Sequence, residues 1–228
     1  MSDVPEQTFV VIDVETTGLS PTTDKIVEFC AFGPNFIQAS LINPTQDIPA
    51  SVSAIHHITN SDVKDSPTWE VFLPQVKQTL EAWGAKYLVA HNAKFDQSFV
   101  GLSEYPWICT YKCALRQWPD APTHSNEGLK YWLKLDRCGR SFSQQSHTAL
   151  GDCLTTAAIL HELLKYQTPE TLLAWTSSPR ELLKMPFGRY KGLKFTVIGA
   201  DYLNWLISQP NMDEAVLAAA KKELATRE

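Results

Sequence analysis

Little in this sequence supports a disulfide-stapled or membrane-spanning protein. Its five cysteines, Cys30, Cys109, Cys113, Cys138 and Cys153, are odd in number, scattered, and form no C-x-x-C pair. A disulfide framework is therefore not indicated. Cys109 and Cys113 leave metal or disulfide use open, and the plainer reading is reduced thiols in a cytosolic protein. No apolar run approaches the roughly 18 residues needed to cross a bilayer. The N-terminal "MSDVPEQ" is polar and acidic, unlike a signal or transit peptide, so the expected location is the cytoplasm. Excess positive charge is lacking as well. A net charge of −5 argues against a general nucleic-acid coat. The segment "FGRYKG" lacks the lysine-serine ending of a nucleotide-binding loop.

What is present suits a good-sized α/β domain with a small appendage: 44% hydrophobic residues, with seven Trp, seven Tyr and ten Phe. After a first strand, "KIVEFCAF" and "FIQASLI" flank "GPN" and read as a hairpin. Residues 69–83 place Trp69, Phe72, Val76 and Leu80 at helical spacing, and Gly84 follows as a stop. "KYLVAHN" reads as a buried strand running into the helix "AKFDQSFV". "WICTYKCALRQW" repeats that pattern, and "SNEGLKYWLKL" reads as a helix capped by Ser125. A last helix spans 152–166, with Leu154, Ala157, Ala158 and Leu164 on its buried side. Strands first paired antiparallel, then alternating with helices, predict a mixed sheet with helices packed on it. The Pro- and Ser-containing stretch near 168–180 marks a boundary. The expected division is a main domain over 1–167, a linker over 168–182 and a small module over 183–228.

Charge is unevenly spread. Residues 1–179 hold 12 Lys+Arg and 19 Asp+Glu, whereas 180–228 hold 8 and 6. Arg180, Lys184, Arg189, Lys191 and Lys194 stand against Glu181 alone. This stretch reads equally as a solvated loop or as an arm that contacts phosphates. Trp205 and the neighbouring aromatics read most simply as the core of the small module.

The chemistry resides in "FVVIDVETTG". An apolar strand ends by placing Asp13 and Glu15 one residue apart, on the same face. Two carboxylates so close repel and both favour the protonated form, unless a cation holds them. Asp96, one turn into "AKFDQSFV", and Asp152 in "HTALGDC" stand at further helix starts, where α/β sheets build sites. His147 precedes Asp152 by five residues, too far round one continuous helix to share its face. The pair meets only if His147 lies ahead of the helix, with Gly151 offering a break. Four carboxylates in one place call for divalent cations, and all-oxygen ligation suits two Mg2+ or Mn2+ ions rather than zinc.

"DVETTG", "HNAKFD" and "HTALGD", in this order, resemble the three motifs of the DEDDh (DnaQ-like) 3′–5′ exonucleases, which have the ribonuclease H-like fold. "IHHIT", "WICTYKCALRQWP" and "FGRYKG" also resemble segments of a bacterial branch of that group, so the likeness covers nearly the whole chain. The resemblance implies a ribonuclease H-like mixed sheet and hydrolysis by two metal ions. Asp13 would bridge the metals, Glu15 and Asp152 would hold the ion that binds the attacking water, and Asp96 would act at the second. His147 would be the general base. Thr16, Thr17 and Leu19 would approach the terminal nucleotide, and His56 the 3′ end, with Ile55 lining the base pocket. His57 stands where the family often has Gly. Phe95 would stack on a base or fill core, and Asn92 would hold the strand–helix turn or touch substrate. The implied partners are DNA 3′ ends, single-stranded or at a duplex terminus, in repair or end trimming; a homodimer is open, as family members often pair. The competing expectations are an RNA-trimming enzyme of the same group and a non-catalytic nucleic-acid-binding or polymerase-accessory protein.

Overall fold

The computed structural model describes residues 8–135 and 148–227. Five strands form one sheet: β1 Phe9–Thr16, β2 Ile26–Gly33, β3 Phe36–Leu41, β4 Tyr87–Ala90 and β5 Trp107–Cys109. Their order is β3-β2-β1-β4-β5. The β3-β2-β1 side is antiparallel, and β4 and β5 run parallel to β1. This is the expected mixed sheet, including the hairpin around Pro34 and Asn35.

β1 is central, which explains its almost uninterrupted apolar run: a strand covered on both faces needs no polar alternate positions. Val10, Ile12 and Val14 face one side, where they meet α3 (Trp69–Trp83) and α4 (Ala93–Val100) through Phe72, Val76, Leu80 and Val100. Phe9 and Val11 face the other side, with Ala114, Leu129, Cys153, Leu163 and Leu172. Those residues come from α5 (Thr110–Gln117), α6 (Asn126–Trp132), α7 (Ala149–Leu164) and α8 (Pro169–Ser177). Between β3 and α3 lie α1 (Ala50–His56) and the single turn α2 (Asn60–Val63). Gly84 ends α3 in the left-handed conformation (φ 74°), as its position after the apolar stripe predicts. Ser125 caps α6 by accepting the Gly128 N–H.

Two expectations need correction. The helix expected over 152–166 starts at Ala149, not at 152, because the Thr148 hydroxyl caps it by accepting the Gly151 N–H. Gly151 therefore lies inside the first turn and breaks nothing. The helix buries Cys153, Thr156, Ile159, Leu160 and Leu163, while Leu154, Ala157, Ala158 and Leu164, expected on the buried side, are all only half-buried. Threonine reads as polar in a sequence pattern, yet Thr156 is buried because it bonds Asn126.

Part of the expected linker is α8, which belongs with the sheet. Leu172 is fully buried, and the Thr176 hydroxyl accepts the Cys109 N–H at 2.8 Å. The chain divides after Thr176.

The second unit, residues 177–227, has its own core of Met185, Phe195, Ile198, Leu203, Leu206, Val216 and Ala220. It holds α9 (Ala200–Ser208) and α10 (Glu214–Ala225), the latter capped by the Asp213 carboxylate. Trp205 does not fill that core: it is 48% exposed. Among the described residues no helix is long and apolar enough to cross a membrane.

Candidate active site

Asp13 and Glu15 follow Phe9 and Val11 in strand parity, so both point to the face that α7 covers. Register irregularity between Glu15 and Thr16 ends the regular pairing of β1 with β2 at this point. Asp152, in the first turn of α7, meets them. Ligand oxygens of Asp13, Glu15 and Asp152 all lie within 4.8 Å of one another. Asp96 arrives from the opposite helical layer. It is 3% exposed, and its Oδ1 accepts the N–H of Val14, the residue between Asp13 and Glu15, at 3.3 Å. The four carboxylates, brought from three separate stretches of sequence, thus share the ends of β1 and β4. His147 lies outside the described residues.

The electrostatics of this cluster are adverse without a cation. Burial raises the Asp13 carboxyl well above the usual range, and the charges of Asp96, Asp152 and Glu15 raise it further. Glu15 is pushed up to about 8 by burial, then by Asp152, Glu28 and Asp96. Asp96 is pushed up to about 8, chiefly by burial, with the Val14 N–H opposing. Among the described residues no lysine or arginine contributes at any of the three. An all-oxygen donor set, crowded and partly desolvated, fits hard divalent cations. Asp13, Glu15 and Asp152 are the residues placed to hold one.

The structure adds two residues that the sequence pattern did not single out. Glu28 stands opposite Glu15 across the β1–β2 ladder, and its Oε2 accepts the N–H of Ala149, the first residue of α7, at 2.9 Å. Asn126 donates from Nδ2 to the Asp152 Oδ1 and backbone oxygen, both at 3.4 Å, and to Thr156 Oγ1 at 3.1 Å. The start of α7 is held from two sides. The hairpin register pairs Glu28 with Glu15 and was a usable signal; the contact from α6 to α7 had none.

The expected substrate-contacting residues divide into two groups. Leu19 (84% exposed) and Ile55 (56% exposed) present apolar side chains to solvent. Thr16 and Thr17 are buried and spend their hydroxyls on structure. Thr16 Oγ1 donates to the Gly18 oxygen, and Thr17 Oγ1 accepts from the Lys25 N–H and Gln46 Nε2. His56 is 3% exposed; Nδ1 accepts the Ile58 N–H, and Nε2 is buried with no hydrogen-bond partner among the described residues. Burial lowers its pKa, with the Thr16 backbone opposing. His57 ends α1 at φ 62°, a left-handed position that glycine takes more readily. Asn92 sits at the α4 N-terminus with φ 68° and makes no side-chain cap. Phe95 is half-buried against the core and tilts onto Phe99 at 5.0 Å.

Comparison with known proteins agrees with this geometry. A family model described as Exonuclease matches residues 10–160. Exodeoxyribonuclease 10 of Escherichia coli (strain K12) is 31% identical over 210 residues, covering 89% of this chain and 91% of that protein. A PolC-type DNA polymerase III of Bacillus cereus is 31% identical over 175 residues, but this chain spans only 12% of that polymerase. Among solved structures, exonuclease X in complex with 5′-overhanging duplex DNA superposes with a TM-score of 0.60 at 31% identity, covering 74% of this chain and 99% of that one. The nuclease domain of 3′hExo, a DEDDh family member bound to rAMP, shares the fold at 18% identity and a TM-score of 0.57. The chain belongs to the exonuclease family, among its DEDDh-type 3′–5′ members.

Proposed function

We propose that this exonuclease is a divalent-metal-dependent 3′–5′ exodeoxyribonuclease that removes nucleoside 5′-monophosphates from DNA 3′ ends, as a cytoplasmic enzyme of repair or end trimming. The observation that carries the reading is the convergence of Asp13, Glu15 and Asp152 within 4.8 Å, with Asp96 bonded to the strand between the first two. The DNA preference rests on likeness to an exodeoxyribonuclease over 89% of the chain.

Asp13, Glu15, Asp152 and Asp96 would hold the Mg2+ or Mn2+ ions, which when bound would supply charge stabilisation for the attacking and leaving oxygens of a phosphodiester. His147 takes a proton from the water that attacks phosphorus, while the O3′ of the penultimate nucleotide leaves. Ala149 and Asp152, fixed by Glu28 and Asn126, hold the start of the helix that follows His147. The buried His56 and the exposed Leu19 and Ile55 receive the terminal nucleotide, and Phe95 stacks on its base.

End-labelled single-stranded DNA with Mg2+ should give a ladder shortening from the 3′ end, abolished by EDTA. Matched RNA should be cut more slowly. Intact DNA across Mg2+, Mn2+ and Co2+ would sink the reading, and faster cutting of RNA would replace the substrate assignment. His147→Ala should lower turnover by about 100-fold or more, within the range for loss of a general base of about 10²–10⁴, with an unchanged unfolding midpoint.

A further inference from the structure

The second unit carries charge and aromatic surface that its own fold does not need. From 182 to 200 the chain contains Lys184, Arg189, Lys191 and Lys194 and no Asp or Glu. All four are exposed. Among the described residues, the ion pairs of this unit join Lys222 with Glu181 and Arg227 with Glu223, and so involve other side chains. The segment is nonetheless ordered. Lys184 and Lys194 form an antiparallel bridge, the Met185 N–H donates to the Leu193 oxygen at 2.8 Å, and the Gly192 N–H returns to the Met185 oxygen at 2.8 Å. Gly188 (φ 68°) and Gly192 (φ 84°) supply the left-handed turns. Two lysines directly opposite on a bridge repel each other, which costs stability unless an anion lies between them.

Beside this hairpin stands an aromatic ladder. The Arg189 guanidinium lies 4.6 Å from the Tyr190 ring and 4.8 Å from that of Tyr202. Tyr202 in turn stacks on Trp205 at 5.1 Å and 28°. A guanidinium fixed over a ring still offers its edge N–H groups to a phosphate, already oriented. Trp205 closes the ladder and leaves about half its surface in water.

We propose that the Lys184–Lys194 hairpin, with Arg189 and Trp205, is a second binding surface that takes single-stranded nucleic acid, its cations on the phosphates and one base stacked on Trp205. Exposed cations beside a stacking platform are what sequence-independent capture of a single strand requires. The choice of DNA as occupant rests on the exodeoxyribonuclease reading; the surface itself does not depend on the acidic site.

The test uses the full chain, a fluorescein-labelled dT20 and a matched 20-base-pair duplex, with EDTA to prevent cutting. Two variants are compared with wild type: one combining Lys184→Ser, Arg189→Ser, Lys191→Ser and Lys194→Ser, and Trp205→Ala alone. The slope of log affinity against log salt should become shallower by about 0.7 for each phosphate that the quadruple variant no longer neutralises. Trp205→Ala should weaken dT20 binding by about 5- to 150-fold and leave duplex binding unchanged. Both should remain folded by circular dichroism and keep, with Mg2+, the wild-type rate on a trinucleotide. Unchanged slope and affinity in both variants would overturn the proposal, as would equal Trp205→Ala losses on duplex and single strand. Wild type that binds dT20 yet cuts no trinucleotide would count against the exonuclease chemistry and leave this surface standing.

Discussion

Asp13 illustrates how a single residue couples folding to ligand. Its carboxyl is buried among three others, and among the described residues no basic side chain compensates. Without metal, Asp13→Asn should therefore raise the unfolding midpoint, by about 2–4 °C per kcal/mol for a chain of this size. Thermal unfolding in EDTA checks this; Mn2+ should reverse the ranking, stabilising wild type and not the variant. His91 titrates in the opposite sense. Its Nδ1 lies 2.9 Å from Thr110 Oγ1 and its Nε2 2.8 Å from the His124 oxygen, and burial lowers its pKa to about 4. Charging this buried imidazole costs solvation that its hydrogen bond to the His124 oxygen only partly offsets. Its contribution is thus full above about 6.5 and lost as pH falls toward 4, for a total of about 3 kcal/mol at 1.36 kcal/mol per unit. Stability measured from pH 7 to 4 should fall less steeply in His91→Gln than in wild type.

At the scale of elements, the start of α7 matters most. The Thr148 cap, Glu28 on the Ala149 N–H and Asn126 on Asp152 hold the same turn. Thr148→Ala should cost about 1 kcal/mol. Glu28→Ala leaves that N–H without its partner, whereas Glu28→Gln keeps an uncharged acceptor. Calorimetric Mn2+ titration should find weaker binding in Glu28→Ala and near-wild-type binding in Glu28→Gln. Equal losses would mean that the charge of Glu28 matters and its hydrogen bond does not. α8 offers a stability test of its own: Leu172 is fully buried against the sheet, so Leu172→Ala should cost about 2–5 kcal/mol. A linker residue would cost close to nothing.

Across the whole molecule, each unit has a separate core: the sheet with its two helical layers before residue 177, and the Met185–Phe195–Leu206 cluster after it. A chain ending at Ser177 should therefore fold cooperatively and hydrolyse a trinucleotide at the full-length rate. Circular dichroism and product analysis check both. Loss of folding would show that the first core is not self-sufficient.

Elements with strong local signals were legible from the residues alone. The alternation and stops of β1, α3 and the β2–β3 hairpin are consequences of side-chain period and of turn residues such as Gly84 and Asn35. The acidic motifs were legible too, because Asp13 and Glu15 stand one residue apart at a strand end; in the fold Asp152 converges on them within 4.8 Å. Which distant groups meet emerges only once the chain is folded. The contacts of Glu28 with Ala149 and of Asn126 with Asp152 span 121 and 26 residues, and no local pattern encodes them. The same holds for the buried Thr156 and the exposed Trp205. Each departs from the side its residue type favours because a partner, or the lack of one, outweighs hydrophobicity at that position.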